Sequence, residues 1–184
     1  MVAESPPASG RFFYGAGSGL YRAVRDVFAA EYSPTDDQSF LESFRDRGWY
    51  LVDLCRTPVN QLPLCTRRQA HHEAVAGLAR AIRRLRPGAV VLVVRMVSPF
   101  VRHALRLAGW RGPYYELPYP GRWATARRDF AKGFHAVLRR LSGRDQPARE
   151  VLEYGTRDWS GTDPGHDDRR RLAKRVTRPR IRKD

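Results

Sequence analysis

Apolar positions change their period along the chain, and each change marks an expected element. Residues 1–10, "MVAESPPASG", carry no apolar period and are rich in Pro, Ser and Ala, which predicts a disordered N-terminus. "RFFYG" at 11–15 then reads as a short buried strand. From Ser18, Leu20, Val24, Val27 and Phe28 fall on one helical face, with Ser18 placed to cap the helix. Thr35 with Gln38 three positions on forms an expected capping box ahead of Phe40, Leu41 and Phe44, and Gly48 ends that helix. "WYLVDLC" at 49–55 predicts a second strand. A loop containing Pro58 and Pro63 leads to a long helix over about 69–86, with Val75, Leu78, Ile82 and Leu85 on one face and arginines on the other. "AVVLVV" at 89–94 is continuously apolar and β-branched, as a parallel strand covered on both faces should be. Ser98-Pro99 opens a helix through Val101, Leu105 and Ala108, closed by Gly109. "YYELP" at 114–118 is a fourth strand, and a last helix sets Trp123, Phe130, Phe134, Val137 and Leu141 on its buried side.

Strands thus alternate with helices four times. That rhythm predicts an α/β fold, a three-layer α/β/α sandwich around a central four-stranded parallel sheet, spanning residues 11–142. Residues 143–184 turn polar and basic and are expected to be a largely flexible C-terminal extension.

Composition adds a partner class. The chain has 184 residues and a formal net charge of +15, almost all of it from arginine, since lysine occurs only at 132, 174 and 183. Nine basic side chains and one carboxylate in residues 169–184 account for +8, leaving +7 to the first 168 residues. A basic domain with a basic tail points to nucleic acid, because phosphate contacts supply most sequence-independent affinity; a solvated surface that keeps the chain soluble is the alternative. No signal peptide is expected at the N-terminus and the longest apolar run is too short to span a bilayer, so the expectation is a soluble, cytoplasmic monomer that does not enter membranes. Cys55 and Cys65 are expected to remain reduced thiols. No metal is expected: the cysteines form no C-x-x-C pair, and the His71-His72 doublet lacks a ligand four residues away. No cofactor is expected either.

In parallel sheets ligands gather beyond the carboxyl ends of the strands. Four loops qualify: "GAGSG" (15–19), "DLCRTPVNQLP" (53–63), "RMVSP" (95–99) and "PYPGRW" (118–123). Gly15, Ala16, Gly17 and Ser18 could bring backbone and a helix start close to a ligand, or could simply pack the chain tightly. Asp53 is costly inside an apolar strand unless it lines a site or satisfies local amides. In the fourth loop Pro120 and Gly121 shape an extended segment beside Tyr119. Arg122 and Trp123 could meet phosphate or a base, while Trp123 could equally begin the buried face of the last helix.

These loops, in this order and at this spacing, resemble the uracil-DNA glycosylase superfamily over about residues 11–142, most closely its mismatch-specific branch. "FLESFRDRGWYLVDLCRTPVN" and "AIRRLRPGAVVLVVR" are especially similar to that branch. The resemblance implies a domain that flips a nucleotide out of DNA and hydrolyses its N-glycosidic bond, as base-excision repair requires. It also implies departures. Gly17 stands where the family's first motif has a catalytic Asp or Asn, and Tyr119 where the fourth has His or Asn. Asp53 falls near the Asn with which relatives read uracil. An ionised Asp accepts hydrogen bonds only, so it would repel uracil's O4 and suit an amino-bearing base, or serve as a relocated catalytic carboxylate.

The expected catalytic residues are therefore Asp53, as acid/base or base-reading group, and Tyr119, donating to the leaving base. Gly15, Ala16, Gly17, Ser18, Asn60, Arg95, Pro120, Gly121 and Arg122 are the expected substrate contacts, with Arg122 at the wedge. The leading expectation is a divergent glycosylase-like protein that binds DNA and excises a flipped base other than uracil. A non-catalytic nucleic-acid-binding member of the superfamily is the alternative, and an enzyme for a phosphorylated small molecule comes third.

Overall fold

The computed structural model describes residues 1–34 and 36–143; from residue 144 on, the expected C-terminal extension lies outside the described residues. Four parallel strands form the sheet: β1 (Val2–Ala3), β2 (Val52–Asp53), β3 (Val90–Leu92) and β4 (Tyr114–Glu116), in the order β2-β1-β3-β4. The register pairs Ala3 with Asp53, Val2 with Leu92, and Leu92 with Glu116. Helices α1 (Gly19–Tyr32), α2 (Asp37–Asp46) and α5 (Ala124–Leu141) cover one face. There Phe28, Phe40, Phe44, Phe130 and Phe134 pack against Ala3, Val91 and Val93. Helices α3 (Leu64–Leu85) and α4 (Ser98–Ala108) cover the other, where Val75, Ile82, Val101 and Leu105 meet Val2, Val90 and Leu92. Successive residues of one strand feed opposite cores, as a twofold side-chain period requires. The three-layer α/β/α arrangement with a central parallel sheet is the one expected from the alternation of elements.

The first strand is not where the apolar pattern put it. β1 lies inside the segment expected to be disordered, and Met1, Val2, Ala3 and Glu4 are all buried. Two paired residues are too few to display a period, and Pro6, Pro7 and Ser9 dominate the composition around them. The "RFFYG" run is a turn instead: only Phe13 is buried, and it inserts edge-on toward Tyr21 and Phe40 while Phe12 and Tyr14 stay exposed. Its amphipathic appearance reflects one aromatic anchor, not a strand.

The helices follow their sequence signals more closely. Ser18 Oγ accepts from the Tyr21 amide at 3.0 Å and caps α1 as expected. The capping box of α2 is built one residue later than expected, by Asp36 and Ser39, whose side chains each accept from the other's amide. Helix α3 starts at Leu64, a full turn earlier than its apolar stripe, because the stripe records only the buried face.

Connections from β1 and from β3 leave toward opposite edges of the sheet. The gap between these neighbours is the topological switch point at which open parallel sheets form ligand crevices. Among the described residues no helix is long and apolar enough to cross a membrane.

Candidate functional site

A cavity of about 570 Å³ opens at this switch point and draws walls from all four strand ends. Ala3 and Glu4 come from the end of β1, Leu51 and Asp53 from β2, Val94 follows β3, and Tyr119 follows β4. Phe12, Phe13, Tyr14 and Leu20 supply apolar wall, and Asn60 and Arg67 reach in from the loop after β2 and the first turn of α3. The size and the mixture of apolar wall with a few polar groups suit a small organic ligand or part of a larger one.

Strand geometry sets the carboxylates apart. Asp53 pairs with Ala3, so both side chains turn to the α1 face; Glu4, the next residue, turns to the α3 face. There Arg67 and His71, four residues apart on one side of α3, converge on it. Arg67 Nε and Nη2 donate to Glu4 Oε1 and Oε2 at 2.6 and 2.5 Å, a bidentate fork, and His71 Nε2 lies 2.8 Å from Oε1. Burial alone would push the Glu4 carboxyl up. The Arg67 and His71 contacts outweigh it and hold Glu4 below the usual range.

Asp53 has no such partners. Burial pushes its carboxyl up to about 6, and no charge or hydrogen bond among the described residues offsets that. The Tyr119 side chain is half-exposed, and partial burial holds its hydroxyl above the ordinary value, so it is a protonated donor at neutral pH. Tyr14 is spent: its hydroxyl accepts from the Leu51 amide at 2.7 Å.

The expected site residues divide into three groups. Asp53, Tyr119, Ser18 and Asn60 do line one cavity, although Ser18 Oγ is committed to its cap and Asn60 Oδ1 accepts from the Ala8 amide at 3.3 Å. Gly15, Ala16 and Gly17 do not line it. The positive φ of that turn belongs to Ala16, at 56°, and a Cβ on Gly17 would sit 3.2 Å from Arg11 Cβ. Close chain packing explains Gly17. Arg95, Pro120, Gly121 and Arg122 are likewise absent from the walls: Pro120 is buried, Gly121 makes a tight turn on Tyr119, and Arg95 and Arg122 stand exposed on the surrounding loops. Trp123 is 72% exposed, so it does not begin the buried face of α5.

Glu4, Arg67 and the Phe12–Tyr14 wall escaped the sequence reading. The loop that leaves the first strand begins at Glu4. The available signal was the pair Arg67 and His71 at helical spacing, facing a single carboxylate distant in sequence.

Around the cavity each strand-end loop carries an exposed arginine and an exposed large apolar side chain. These are Arg11 with Phe12, Arg56 with Leu62, Arg95 with Met96, and Arg122 with Trp123. None of these four arginines forms a salt bridge among the described residues. Cys55 is buried and Cys65 exposed, both as free thiols, and no metal-binding cluster occurs among the described residues. A larger hollow of about 760 Å³ lies at the amino ends of the strands, lined by apolar side chains such as Ile82, Leu138 and Leu141 together with Asp46, Arg47 and Ser142.

A scan against protein-family models returns no match, and neither does a search of curated proteins.

Proposed function

We propose that the protein binds nucleic acid with the carboxyl-end face of its sheet and takes one extruded base into the cavity beside Asp53 and Tyr119, cleaving the N-glycosidic bond. The observation that carries this reading is the convergence of an unpaired carboxylate and a phenol in one cavity, ringed by four loops that each offer an arginine and an apolar side chain. Arginines would track phosphates, and the apolar side chains would shield or stack on bases displaced from the helix. A base inside a duplex presents neither its edge nor its sugar carbon to a protein group, so extrusion is required for this chemistry.

In the cleavage step the bond between C1′ and the base nitrogen breaks, and its electron pair leaves with the base. Tyr119 donates a hydrogen bond to the departing base, and the Nη1 of Arg67 adds a second donor. Water then delivers hydroxide to C1′, and the net proton goes to the base. Donors aimed at the atom that gains charge are the usual means of lowering such a barrier. Asp53 reads the base edge.

Oligonucleotides carrying deaminated, alkylated or mismatched bases, single- and double-stranded, provide the test. Alkali-labile abasic sites are expected after incubation, and their absence across the whole panel overturns the cleavage step. One observation favours binding without cleavage: Glu4, the carboxylate at the end of β1, has both oxygens committed to Arg67 and His71 and is not free to hold a water. Under that reading the panel yields no breaks, yet oligonucleotide affinity falls steeply with salt.

A further inference from the structure

Most polar groups on the cavity wall are already engaged. Glu4 is held by Arg67 and His71, Ser18 Oγ caps α1, Ser5 Oγ accepts from the Val59 amide at 3.3 Å, and the Tyr14 hydroxyl bonds the Leu51 backbone. Besides the Asn60 amide nitrogen, left over because only Oδ1 is engaged, three groups keep capacity for a ligand. The Asp53 carboxylate offers two acceptor oxygens, Tyr119 offers a hydroxyl, and Arg67 uses Nε and Nη2 on Glu4 and so retains Nη1. Because the Glu4 fork fixes the guanidinium plane, Arg67 is a preorganised donor and not a roaming charge.

This set can be matched against the bases. An ionised carboxylate needs two adjacent donors if both oxygens are to be satisfied. Adenine and cytosine each present one amino group beside a ring nitrogen that accepts, and uracil and thymine present one N–H between two carbonyls. Each of these would oppose a lone pair to one Asp53 oxygen. Guanine alone presents N1–H beside an amino group, and its neighbouring O6 is an acceptor suited to Arg67.

On the reading that the cavity is a base pocket, we infer that it selects a guanine-type base, with Asp53 accepting from N1–H and the 2-amino group and Arg67 donating to O6. Phe12, Phe13 and Leu20 supply the apolar surface for the ring. Lesions that keep that edge, such as 8-oxoguanine, belong to the same class. O6-methylguanine does not, since methylation removes N1–H and blocks O6.

The experiment measures binding of 2′-deoxyguanosine, 2′-deoxyinosine, O6-methyl-2′-deoxyguanosine, 2′-deoxyadenosine and thymidine to the full chain at pH 7.5 by calorimetry. Deoxyguanosine should bind at least about tenfold more tightly than deoxyinosine, which lacks only the amino group, and the other three should be weaker still. Asp53→Asn should erase the deoxyguanosine preference while thermal unfolding shows the variant folded. Equal affinities, a preference for thymidine or deoxyadenosine, or no binding at millimolar nucleoside overturns the assignment. The ligand series decides the matter even if the variant fails to fold. Excision of oligonucleotide bases without a guanine preference would overturn the selectivity and leave the proposed function standing. Selective deoxyguanosine binding with no oligonucleotide affinity would do the reverse.

Discussion

Asp53 is the residue at which stability and binding pull apart. The unfolded chain ionises this carboxyl near the ordinary value of 3.8, the folded chain at about 6. Between those values the folded state holds a proton the unfolded state has lost, so this group's stabilising contribution is complete at low pH and lost as pH rises through 6. At about 1.4 kcal/mol for each pH interval of one between the two ionisations, the penalty at neutral pH is at most about 3 kcal/mol, and water at the open side of the cavity lowers it further. Asp53→Asn is therefore expected to unfold at a higher temperature than the parent above pH 6, with the gap closing toward pH 4, as scanning calorimetry across that range would read. Glu4 runs the other way: its lowered carboxyl supports folding at neutral pH and loses that support as pH falls through its folded value. Removing its charge strands Arg67, so Glu4→Gln should cost about 3 kcal/mol in denaturant unfolding at pH 7. Asp53 and Tyr119 were legible in the sequence because a carboxylate in an apolar strand and an aromatic between two prolines stand out locally. Glu4 and Arg67 were not, since 63 positions separate them and neither is unusual where it stands.

Elements with many turns announced themselves, and elements of two residues did not. Five amphipathic helices and the apolar β3 could be read because burial repeats along them. β1 could not, because its identity rests on pairing with Val52 and Leu92 and not on its own pattern. The N-terminal segment is therefore structural, and deletion of residues 1–4 should abolish cooperative unfolding by circular dichroism; a sharp transition in the truncated chain would contradict the central position of β1. Caps make smaller contributions. Ser18→Ala removes the side-chain acceptor for the Tyr21 amide and is expected to lower stability by about 1 kcal/mol, without displacing the cavity.

Among the described residues, four exposed arginines are carried by segments that follow the strands. Arg11, Arg56, Arg95 and Arg122 come from four loops far apart in sequence, yet the parallel topology gathers all four at the carboxyl ends of the strands. Replacing each with alanine should reduce the slope of log affinity against log salt by about 0.7–0.9 per lost phosphate contact, measured by fluorescence anisotropy with labelled oligonucleotides. An unchanged slope in the quadruple variant would place the polyanion contact elsewhere. The order of the strands has one more effect, on how the molecule is made. Val2 takes its backbone partners from residues 52 and 92, so a ribosome delivering about 5–20 residues per second leaves the sheet's centre waiting on the order of ten seconds for its neighbours. Through that interval the nascent segment must stay unpaired and unaggregated, a demand that its prolines and serines, poor material for stray cross-β association, are well suited to meet.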